Sequence, residues 1–185
     1  MSSKCGRQDG HGMNSKVDSM SDGMEKVVGD LLRQNGHTLA TAESCTGGLI
    51  ASRITDVPGS SEYFFEGVIV YSNQAKKNLL GVREETLRDF GAVSEQTVRE
   101  MCAGIRKLSG ADLTLAISGI AGPGGGSADE PVGLVYIGLY DGYSFFLEEL
   151  RLQGSRKQIK FQASQSALDL VRRYYQGDCQ SNSQG

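Results

Sequence analysis

The amino-acid sequence predicts one α/β domain in which helices cover both faces of a mixed β-sheet. Helical and strand-like segments alternate early in the chain, a pattern typical of parallel strands joined by helices. A later pair of strand-like segments flanks Asp141-Gly142, a dipeptide that favours an antiparallel hairpin. The chain has 185 residues, of which 38% are hydrophobic and 22% charged, and this is enough for one core.

The first predicted elements are a helix, a strand and a second helix. Asp22 and Glu25 have the spacing of a capping box, and apolar residues recur at helical spacing from Met24 to Leu32. Gly36 is suited to the left-handed conformation in which many helices end. The stretch "HTLATAES" then predicts a strand, and "TGGLIASRITDV" predicts a helix that begins within residues 46–48.

The remaining elements continue the alternation and finish with a hairpin and a helix. Strands are predicted at "YFFEGVIVYS" and "ADLTLAIS", and short helices at "NQAKKNLLG" and "REETLRDFG". Ser94 is expected to cap a longer helix whose apolar face includes a buried Cys102. The segments "VGLVYIGLY" and "YSFFLEELRLQ" form the predicted hairpin, and Ser155 begins a last helix that reaches about Tyr175.

The two ends of the chain differ in composition from the segment between them. Residues 1–21 are rich in Ser, Gly, Asp and Lys and nearly devoid of aliphatic residues, which predicts a disordered tail. Residues 177–185 have a similar composition and carry the same prediction. The folded domain is therefore expected to span residues 22–176.

Charge and cysteine usage exclude several classes of function. The net charge is −3, and no Lys/Arg stripe is interleaved with aromatic residues, so we expect no nucleic-acid partner. No apolar run has the length of a membrane span or signal segment, so we expect no membrane partner. The four cysteines form no CxxC pair or Cys/His cluster. This usage favours a reducing, cytoplasmic location without a metal site.

Three predicted strands end in unusual sequences, namely "ESCTGG", "YSNQAKK" and "SGIAGPGGG". In open α/β sheets, ligands bind beyond the carboxyl ends of the strands. The convergence of three such ends in one domain predicts a single site. The third sequence matches neither the P-loop pattern nor the Rossmann fingerprint, but its backbone N–H groups could bind phosphate or carbonyl oxygen.

Ser44 is the first candidate nucleophile in this predicted site. It closes a strand just before a helix start, where free N–H groups could bind an anion and where Gly47 and Gly48 permit close approach. From this motif alone, a helix N-cap is the favoured interpretation of Ser44, and capping is also the favoured interpretation of Thr46. Cys45 ranks below Ser44, because only the helix start would lower the pKa of its thiol.

A serine nucleophile needs a base, and the sequence offers few. His11 lies in the predicted tail, and His37 lies at the wrong end of its strand. There is no S-x-x-K pattern. Lys76 is the best remaining base, because a helix start, the charge of Lys77 and burial would each lower its pKa from about 10.4. The alternative is a solvated surface lysine, and this is how Lys77 is interpreted.

Several further residues are candidate substrate contacts, and each has an alternative structural role. Tyr71 and Asn73 flank the lysine, Glu43 could contact the ligand or pair with a lysine, and Arg156 could bind phosphate or lie on the surface. Around the glycine-rich loop the candidates are Ser118, Gly119, Ile120, Ala121, Gly122, Gly124 and Gly125.

Three long stretches together resemble one family. "TAESCTGGLIASRITDVPGSSEYFFEGVIVYSNQAKKNLLGV", "GAVSEQTV" and the segment from "SGIAGPGGGS" to "DEPVGLVYIGL" are similar to the C-terminal domain of the CinA competence/damage-inducible proteins. The resemblance covers about residues 24–175 and implies a three-layer α/β/α sandwich with a mixed sheet. It also implies a stand-alone form without the N-terminal domain of full-length CinA, and a homodimer or higher homo-oligomer.

The resemblance further implies a serine–lysine amidohydrolase that acts on a pyridine mononucleotide. In that case Ser44 is the nucleophile, Lys76 is the base, Tyr71 belongs to the site, and the glycine-rich loop and Arg156 line the pocket. Some members carry threonine where this chain has Ile120, so an oxyanion donor at that position would have to be backbone. The expected reaction converts nicotinamide mononucleotide into nicotinate mononucleotide and ammonia without a cofactor. The alternative is a nucleotide-binding regulatory domain without turnover.

Overall fold

The computed structural model describes residues 23–179, which fold as a five-stranded sheet between two layers of helices. The predicted tail at residues 1–21 and residues 180–185 of the predicted tail at 177–185 lie outside the described residues. The strands are β1 (Leu39–Glu43), β2 (Phe64–Ile69), β3 (Leu113–Gly119), β4 (Leu134–Tyr140) and β5 (Phe145–Arg151). The helices are α1 (Met24–Asn35), α2 (Leu49–Thr55), α3 (Asn73–Leu80), α4 (Glu84–Phe90), α5 (Glu95–Ser109) and α6 (Arg156–Gln176).

The sheet is mixed, as the sequence predicts. Its strand order is β2-β1-β3-β4-β5, and β1 pairs in parallel with both β2 and β3. The remaining pairs, β3 with β4 and β4 with β5, are antiparallel. The hairpin predicted at Asp141-Gly142 therefore forms, and the parallel strands bring their carboxyl ends to one edge of the sheet.

Two apolar clusters fill the space on either side of the sheet. Because successive side chains of a strand point to opposite faces, Leu39 of β1 packs in one cluster and Ala40 in the other. The first cluster joins the sheet to α1, α2 and α6, and the second joins it to α3 and α5. Cys102 is fully buried in the second cluster, as predicted. The architecture is the expected three-layer α/β/α sandwich.

The helices begin and end largely at the residues predicted from the sequence, with two differences. Gly36 ends α1 in the left-handed conformation with φ 63°, and Ser94 and Ser155 begin α5 and α6. The predicted capping box of α1 does not form, because Gly23 is its N-cap, and Glu25 pairs instead with Arg53 at 2.7 Å. Asp22 lies outside the described residues.

The second difference concerns α2, which begins at Leu49 rather than within residues 46–48. Residues 44–48 instead form a tight turn, in which Gly47 and Gly48 have φ values of 63° and 92°. Side chains with a Cβ rarely adopt this left-handed region, so glycine is required at both positions. The turn delays the helix and holds Ser44 at the end of β1.

The described residues continue past the end of α6 to Cys179. Gly177 ends this helix with φ 74°, and Cys179 packs against the first apolar cluster, where its thiol lies 3.7 Å from the carbonyl oxygen of Leu170. Within residues 23–179 no helix combines the length and the apolar character needed to cross a membrane. The same residues contain no group of three or more His, Cys, Asp or Glu side chains that could hold a metal ion.

Candidate active site

The carboxyl ends of β1 and β3 and the segment that follows β2 meet around a cavity of about 190 Å³. The structure thus brings together the three sequences that end the predicted strands. The residues that line the cavity are Ser44, Cys45, Tyr71, Asn73, Lys76, Ala92, Val93, Ser118, Gly119 and Ala121.

Ser44 is presented by the turn between β1 and α2. Its backbone N–H donates to the carbonyl oxygen of Ile117 at 3.0 Å, and its own carbonyl accepts from the N–H of Gly47 at 3.1 Å. Gly48, which has no side chain, is the N-cap residue of α2, so Ser44 is not the helix cap. The Ser44 hydroxyl is therefore free to interact with groups in the cavity.

Thr46 also does not act as the cap that the sequence suggests. Its side chain is fully buried, and Oγ1 has no hydrogen-bond partner in the described part of the chain. A buried hydroxyl without a partner is uncommon and costs free energy. Thr46 does not line the cavity, so its predicted role as a side-chain contact with substrate gains no support from the geometry.

Glu43 caps α2 from the end of β1. This side chain is only 1% exposed, and its carboxylate accepts hydrogen bonds from the N–H groups of Gly48, Ile50 and Ala51 at 3.0, 3.1 and 2.8 Å. These donors would otherwise lack partners at the start of the helix. The interpretation of Glu43 as a ligand contact or lysine partner is therefore wrong, and Glu43 instead fixes the turn that carries Ser44.

This capping changes which backbone groups could bind an oxyanion. The N–H of Gly48 is bonded to Glu43 and that of Gly47 to the Ser44 carbonyl, so the expectation that these two glycines donate to a ligand is wrong. The N–H groups of Cys45 and Thr46 make no hydrogen bond to another residue among those that the structure describes. These two groups are therefore the donors that remain beside the nucleophile.

Lys76 is buried at the start of α3, with only 1% of its surface exposed. Its Nζ lies 3.0 Å from the Oγ of Ser44 and donates to the carbonyl oxygen of Val70, also at 3.0 Å. Burial lowers the pKa of the Lys76 ammonium, and proximity to the Cys45 thiol opposes this shift. The alternative of a solvated lysine is wrong for Lys76, and the surrounding apolar packing favours its neutral form.

Lys77 behaves as the sequence suggests and contrasts with its neighbour. It is about one third exposed and pairs with Glu84 at 3.0 Å. Its ammonium is thus neutralised by a carboxylate and does not act as a like charge on Lys76. The lowered pKa of Lys76 therefore comes from burial, rather than from the neighbouring lysine.

Cys45, the other candidate nucleophile, is buried beside Ser44. The thiol is 5% exposed, and burial raises its pKa to about 12. The thiolate, which is the reactive form, is therefore scarce at neutral pH. A backbone N–H, Lys76 and Lys160 favour the thiolate, but their combined effect does not overcome burial.

Arg156 joins three parts of the cavity rim. Its Nη1 donates to the carbonyl oxygen of Gly122 at 2.6 Å, and its Nη2 donates to the hydroxyl of Tyr71 at 2.7 Å. Tyr71 is 59% exposed, and its hydroxyl is bonded to Arg156 rather than to Lys76. Asn73 lies at the first position of α3 and lines the cavity. The arginine therefore connects α6, the glycine-rich loop and the end of β2.

The glycine-rich loop contributes fewer contacts than the sequence suggests. Ser118 lines the cavity, but its hydroxyl donates to the carbonyl oxygen of Ala92 at 2.6 Å. The backbone of Ile120 is paired on both sides, because its N–H donates to Leu134 and its carbonyl accepts from Gly133. The Ile120 N–H is therefore not free to serve as the backbone oxyanion donor that the resemblance left open at this position. Gly119 and Ala121 line the cavity, whereas Gly124 and Gly125 are exposed and do not.

Three residues near the cavity were missed by sequence reasoning. Ala92 and Val93, between α4 and α5, form one wall, and their own apolar side chains carry no chemical group that would have indicated a site. Lys160 lies on α6 beside Gly47: a Cβ built on that glycine would lie 3.5 Å from the lysine Nζ. Its spacing of four residues from Arg156 was the available signal, because such residues share a helix face.

Comparison with known proteins agrees with this architecture. Residues 21–175 match the family model described as CinA C-terminal domain. The chain is 53% identical over 152 residues to a CinA-like protein of Kosmotoga olearia, covering 82% of this chain and 37% of that protein. It is 51% identical over 154 residues to a CinA-like protein of Syntrophomonas wolfei, covering 83% of this chain and 37% of that protein. The chain thus spans little more than a third of the length of these curated relatives.

Solved structures show the same fold. A competence/damage inducible protein from Agrobacterium tumefaciens superposes with a TM-score of 0.77 at 40% identity, covering 80% of this chain and 93% of that chain. A CinA superfamily protein from Klebsiella pneumoniae superposes with a TM-score of 0.81 at 34% identity, covering 84% of this chain and 99% of that chain. The chain belongs to the family of the CinA C-terminal domain.

Proposed function

We propose that this chain hydrolyses the carboxamide of nicotinamide mononucleotide to nicotinate mononucleotide and ammonia. The observation that carries the proposal is the buried Lys76, whose Nζ lies 3.0 Å from the Ser44 Oγ. A lysine with a pKa lowered by burial is a suitable base for a serine nucleophile. The substrate class comes from the family resemblance, because the names of the relatives specify no reaction. The same resemblance supports a homo-oligomer, and the cysteine usage of the sequence supports a cytoplasmic location.

The proposed reaction begins with attack of the Ser44 Oγ on the carbonyl carbon of the carboxamide. Neutral Lys76 accepts the hydroxyl proton as the new C–O bond forms, and the carbonyl oxygen becomes an oxyanion. The N–H groups of Cys45 and Thr46 are the donors proposed to stabilise it, each typically contributing about 3 kcal/mol. Protonated Lys76 then transfers its proton to the nitrogen, the C–N bond breaks, and ammonia leaves an acyl-enzyme.

The second half of the reaction repeats these roles with water. Lys76, neutral again, removes a proton from a water molecule that attacks the ester carbonyl. Collapse of the second tetrahedral intermediate breaks the bond to the Ser44 Oγ, which recovers its proton from Lys76. The nicotinate product leaves, and the enzyme returns to its starting protonation state. The scheme consumes one water and uses no metal or organic cofactor.

The size of the cavity supports a divided substrate site. Its volume of about 190 Å³ is below the roughly 300–1,000 Å³ typical of pockets that bury a complete drug-sized ligand. The carboxamide and part of its ring would occupy the cavity, and the ribose and phosphate would lie at the rim. Arg156 stands at this rim, where its guanidinium has further N–H donors beyond the two bonded to Gly122 and Tyr71.

The decisive experiment measures ammonia release from nicotinamide mononucleotide by the purified protein, with Ser44→Ala and Cys45→Ser as matched variants. We expect Ser44→Ala to lower kcat by about 10³-fold or more while nucleotide binding persists, because the hydroxyl is needed for bond formation. Cys45→Ser should retain substantial activity, because the buried thiol is not the nucleophile.

Three outcomes would change this proposal. Turnover by Ser44→Ala at the wild-type rate would remove the serine mechanism. Complete loss in Cys45→Ser, with alkylation of the wild-type thiol blocked by substrate, would transfer the nucleophile to Cys45. Nucleotide binding without ammonia release by the wild-type protein would instead support a regulatory nucleotide-binding domain.

A further inference from the structure

Lys160 lies beside the turn that presents Ser44. It occupies α6 one helical turn after Arg156 and is partly buried. Its Nζ lies 3.5 Å from the position that a Cβ at Gly47 would occupy. Its positive charge also lowers the pKa of the Cys45 thiol, although burial dominates that group. An ammonium group therefore lies at the edge of the proposed active site, on the side opposite Lys76 in the three-layer fold.

No carboxylate neutralises this charge. Lys160 forms neither an ion pair nor a hydrogen bond with any other residue from 23 to 179. Other cations near the site differ, since Arg53 pairs with Glu25 at 2.7 Å and Lys77 pairs with Glu84 at 3.0 Å. The lack of a carboxylate partner at Lys160 is therefore not shared by Arg53 or Lys77.

Arg156 adds a second charge to the same face of α6. The two groups it bonds, the Gly122 carbonyl and the Tyr71 hydroxyl, are neutral, so its positive charge is also not compensated by a carboxylate in the described structure. Residues four apart on a helix are neighbours on its surface. Arg156 and Lys160 together create a positive potential at the cavity rim, and such a potential favours an anionic ligand.

We propose that Lys160, together with Arg156, binds the phosphate of the substrate and makes the site selective for a nucleotide over its nucleoside. This inference rests on the proposed function, which places the carboxamide in the cavity and the phosphate at the rim. A phosphate dianion is matched by two cations, one of them a planar guanidinium and the other a compact ammonium. Lys160 is thus a specificity-determining residue and takes no part in bond making or breaking.

The test uses direct binding so that it does not depend on turnover. In the Ser44→Ala protein, calorimetry measures Kd for nicotinamide mononucleotide and for nicotinamide riboside, which lacks the phosphate. We expect Lys160→Gln to raise the Kd of the nucleotide about 10-fold or more and to leave the riboside unchanged, because one charge-assisted contact is lost. Lys160→Arg should keep most of the selectivity, and Arg156→Ala should show the same pattern as Lys160→Gln.

Lys157 provides the matched control, because it lies on the same helical turn but is exposed. Lys157→Gln should change both Kd values less than about twofold, since Lys160, and not Lys157, acts on the Cys45 thiol beside the turn. In the active enzyme, Lys160→Gln should raise KM for the nucleotide with little change in kcat, as expected for a contact made equally in ground and transition states. Added salt should weaken nucleotide binding more in the protein that keeps Lys160 than in the protein that carries Lys160→Gln.

The possible failures separate the two proposals. Equal losses for nucleotide and riboside, a fall in kcat at constant KM, or no nucleotide binding to Ser44→Ala would overturn the role of Lys160. If the wild-type enzyme releases ammonia and any of those results is found, the proposed role of Lys160 fails and the proposed reaction stands. If the wild-type protein releases no ammonia but Lys160 still makes binding selective for the nucleotide over the riboside, the proposed reaction fails and the phosphate site stands.

Discussion

The two ends of the sheet both carry a cavity lined by polar side chains, but they use those side chains differently. The cavity near the amino ends of β1 and β3 is the larger, with a volume of about 300 Å³ against about 190 Å³ at the carboxyl ends. Its lining includes His37, Arg106, Asp112 and Asp141. By size and by number of titratable groups, the amino end would be the stronger candidate for a site.

At the amino end, however, the polar groups are bonded to one another. Asp112 accepts from the backbone N–H and the hydroxyl of Thr38 at 2.8 and 2.7 Å, and its own N–H donates to that hydroxyl at 3.0 Å. Arg106 donates to the carbonyl oxygens of Ala111 and Asp112. Asp141 accepts from the N–H groups of Tyr143 and Ser144 within the hairpin turn. These contacts connect loops and stabilise the fold.

At the carboxyl end, the polar groups are held apart from partners that would neutralise them. Lys76 is buried without a carboxylate, the N–H groups of Cys45 and Thr46 bond no other residue, and Lys160 has no countercharge among the described residues. Burial of the Lys76 amine costs folding free energy that no carboxylate offsets. The difference shows that a site is better recognised by uncompensated groups in a cleft than by cavity size.

The largest expected effect comes from Lys76→Arg, which tests whether the uncompensated lysine is functional. Arginine keeps the positive charge but does not lose its proton, so it cannot accept the proton of Ser44. We expect kcat/KM to fall about 10³-fold or more, as far as in Lys76→Ala. Lys77→Arg is the matched control and should be nearly silent, because that lysine is partly exposed and paired with Glu84. An active Lys76→Arg enzyme would leave Ser44 without its proposed base.

The pH dependence of the wild-type enzyme measures the proton on Lys76 directly. Only the neutral amine can act as the base, so kcat/KM should rise with pH through an apparent pKa below the ordinary lysine value of about 10.4. A profile that begins to rise only near that ordinary value would show that burial does not tune this lysine.

The free energy of unfolding should also depend on pH through the lowered pKa of Lys76. Because burial lowers the pKa of Lys76 in the folded state, the unfolded chain binds more protons between the lowered value and about 10.4. The free energy of unfolding should therefore rise with pH across that window in the wild-type protein relative to Lys76→Met. Below the lowered pKa and above the ordinary one, the difference between the two proteins should be constant. Chemical denaturation at several pH values would measure it.

The fold was largely predictable from sequence, because its determinants are local. Asp141-Gly142 specifies a hairpin turn, Gly36 ends a helix, and Ser94 accepts the hydrogen bond that begins α5. Each of these depends on a few neighbouring residues and on general backbone preferences. The alternation of helices and strands then restricts the topology to a layered α/β arrangement.

The site was predictable only in part, because its details depend on contacts between distant segments. Strand ends indicated Ser44 and Lys76, but the sequence could not show that Glu43 would occupy the N–H groups of α2. Nor could it show that Ile120 would be paired by the strand that follows the loop. Lys160 had no distinguishing local pattern apart from its spacing from Arg156, so only the packing of α6 against the Ser44 turn indicates its position.

Glu43→Gln is expected to have the next largest effect, because Glu43 belongs to the carboxyl end but plays a structural part there. The glutamine amide has one acceptor oxygen and no negative charge, so it cannot satisfy the N–H groups of Gly48, Ile50 and Ala51 together. We expect the free energy of unfolding to fall by roughly 1–2 kcal/mol. The misplaced turn should lower kcat about 10- to 100-fold with a smaller change in KM.

Glu66→Gln, on the neighbouring strand β2, is the control for loss of a carboxylate without loss of a helix cap. It should leave both stability and kcat close to wild type. If Glu43→Gln instead raised KM and left stability unchanged, Glu43 would contact the substrate, and the structural interpretation of this residue would fail.

The smallest expected effect is that of Asp112→Ala at the amino end, where the bonded polar groups should contribute stability and nothing else. Removal of the acceptor for Thr38 should lower the free energy of unfolding by roughly 1 kcal/mol, while kcat and KM stay unchanged. The side-chain and backbone hydrogen bonds from Thr38 lower the pKa of Asp112, so its contribution is complete above the ordinary carboxyl pKa of about 3.9 and is lost as pH falls through the lowered value. Thermal unfolding at pH 7 and at acidic pH should therefore show a stability difference between the wild-type protein and Asp112→Ala that becomes smaller at acidic pH. The control is Asp56→Ala, at an exposed aspartate, which should differ little from wild type at either pH. A loss of turnover in Asp112→Ala at full stability would mean that the amino end also contributes to function, and the contrast between the two ends of the sheet would no longer hold.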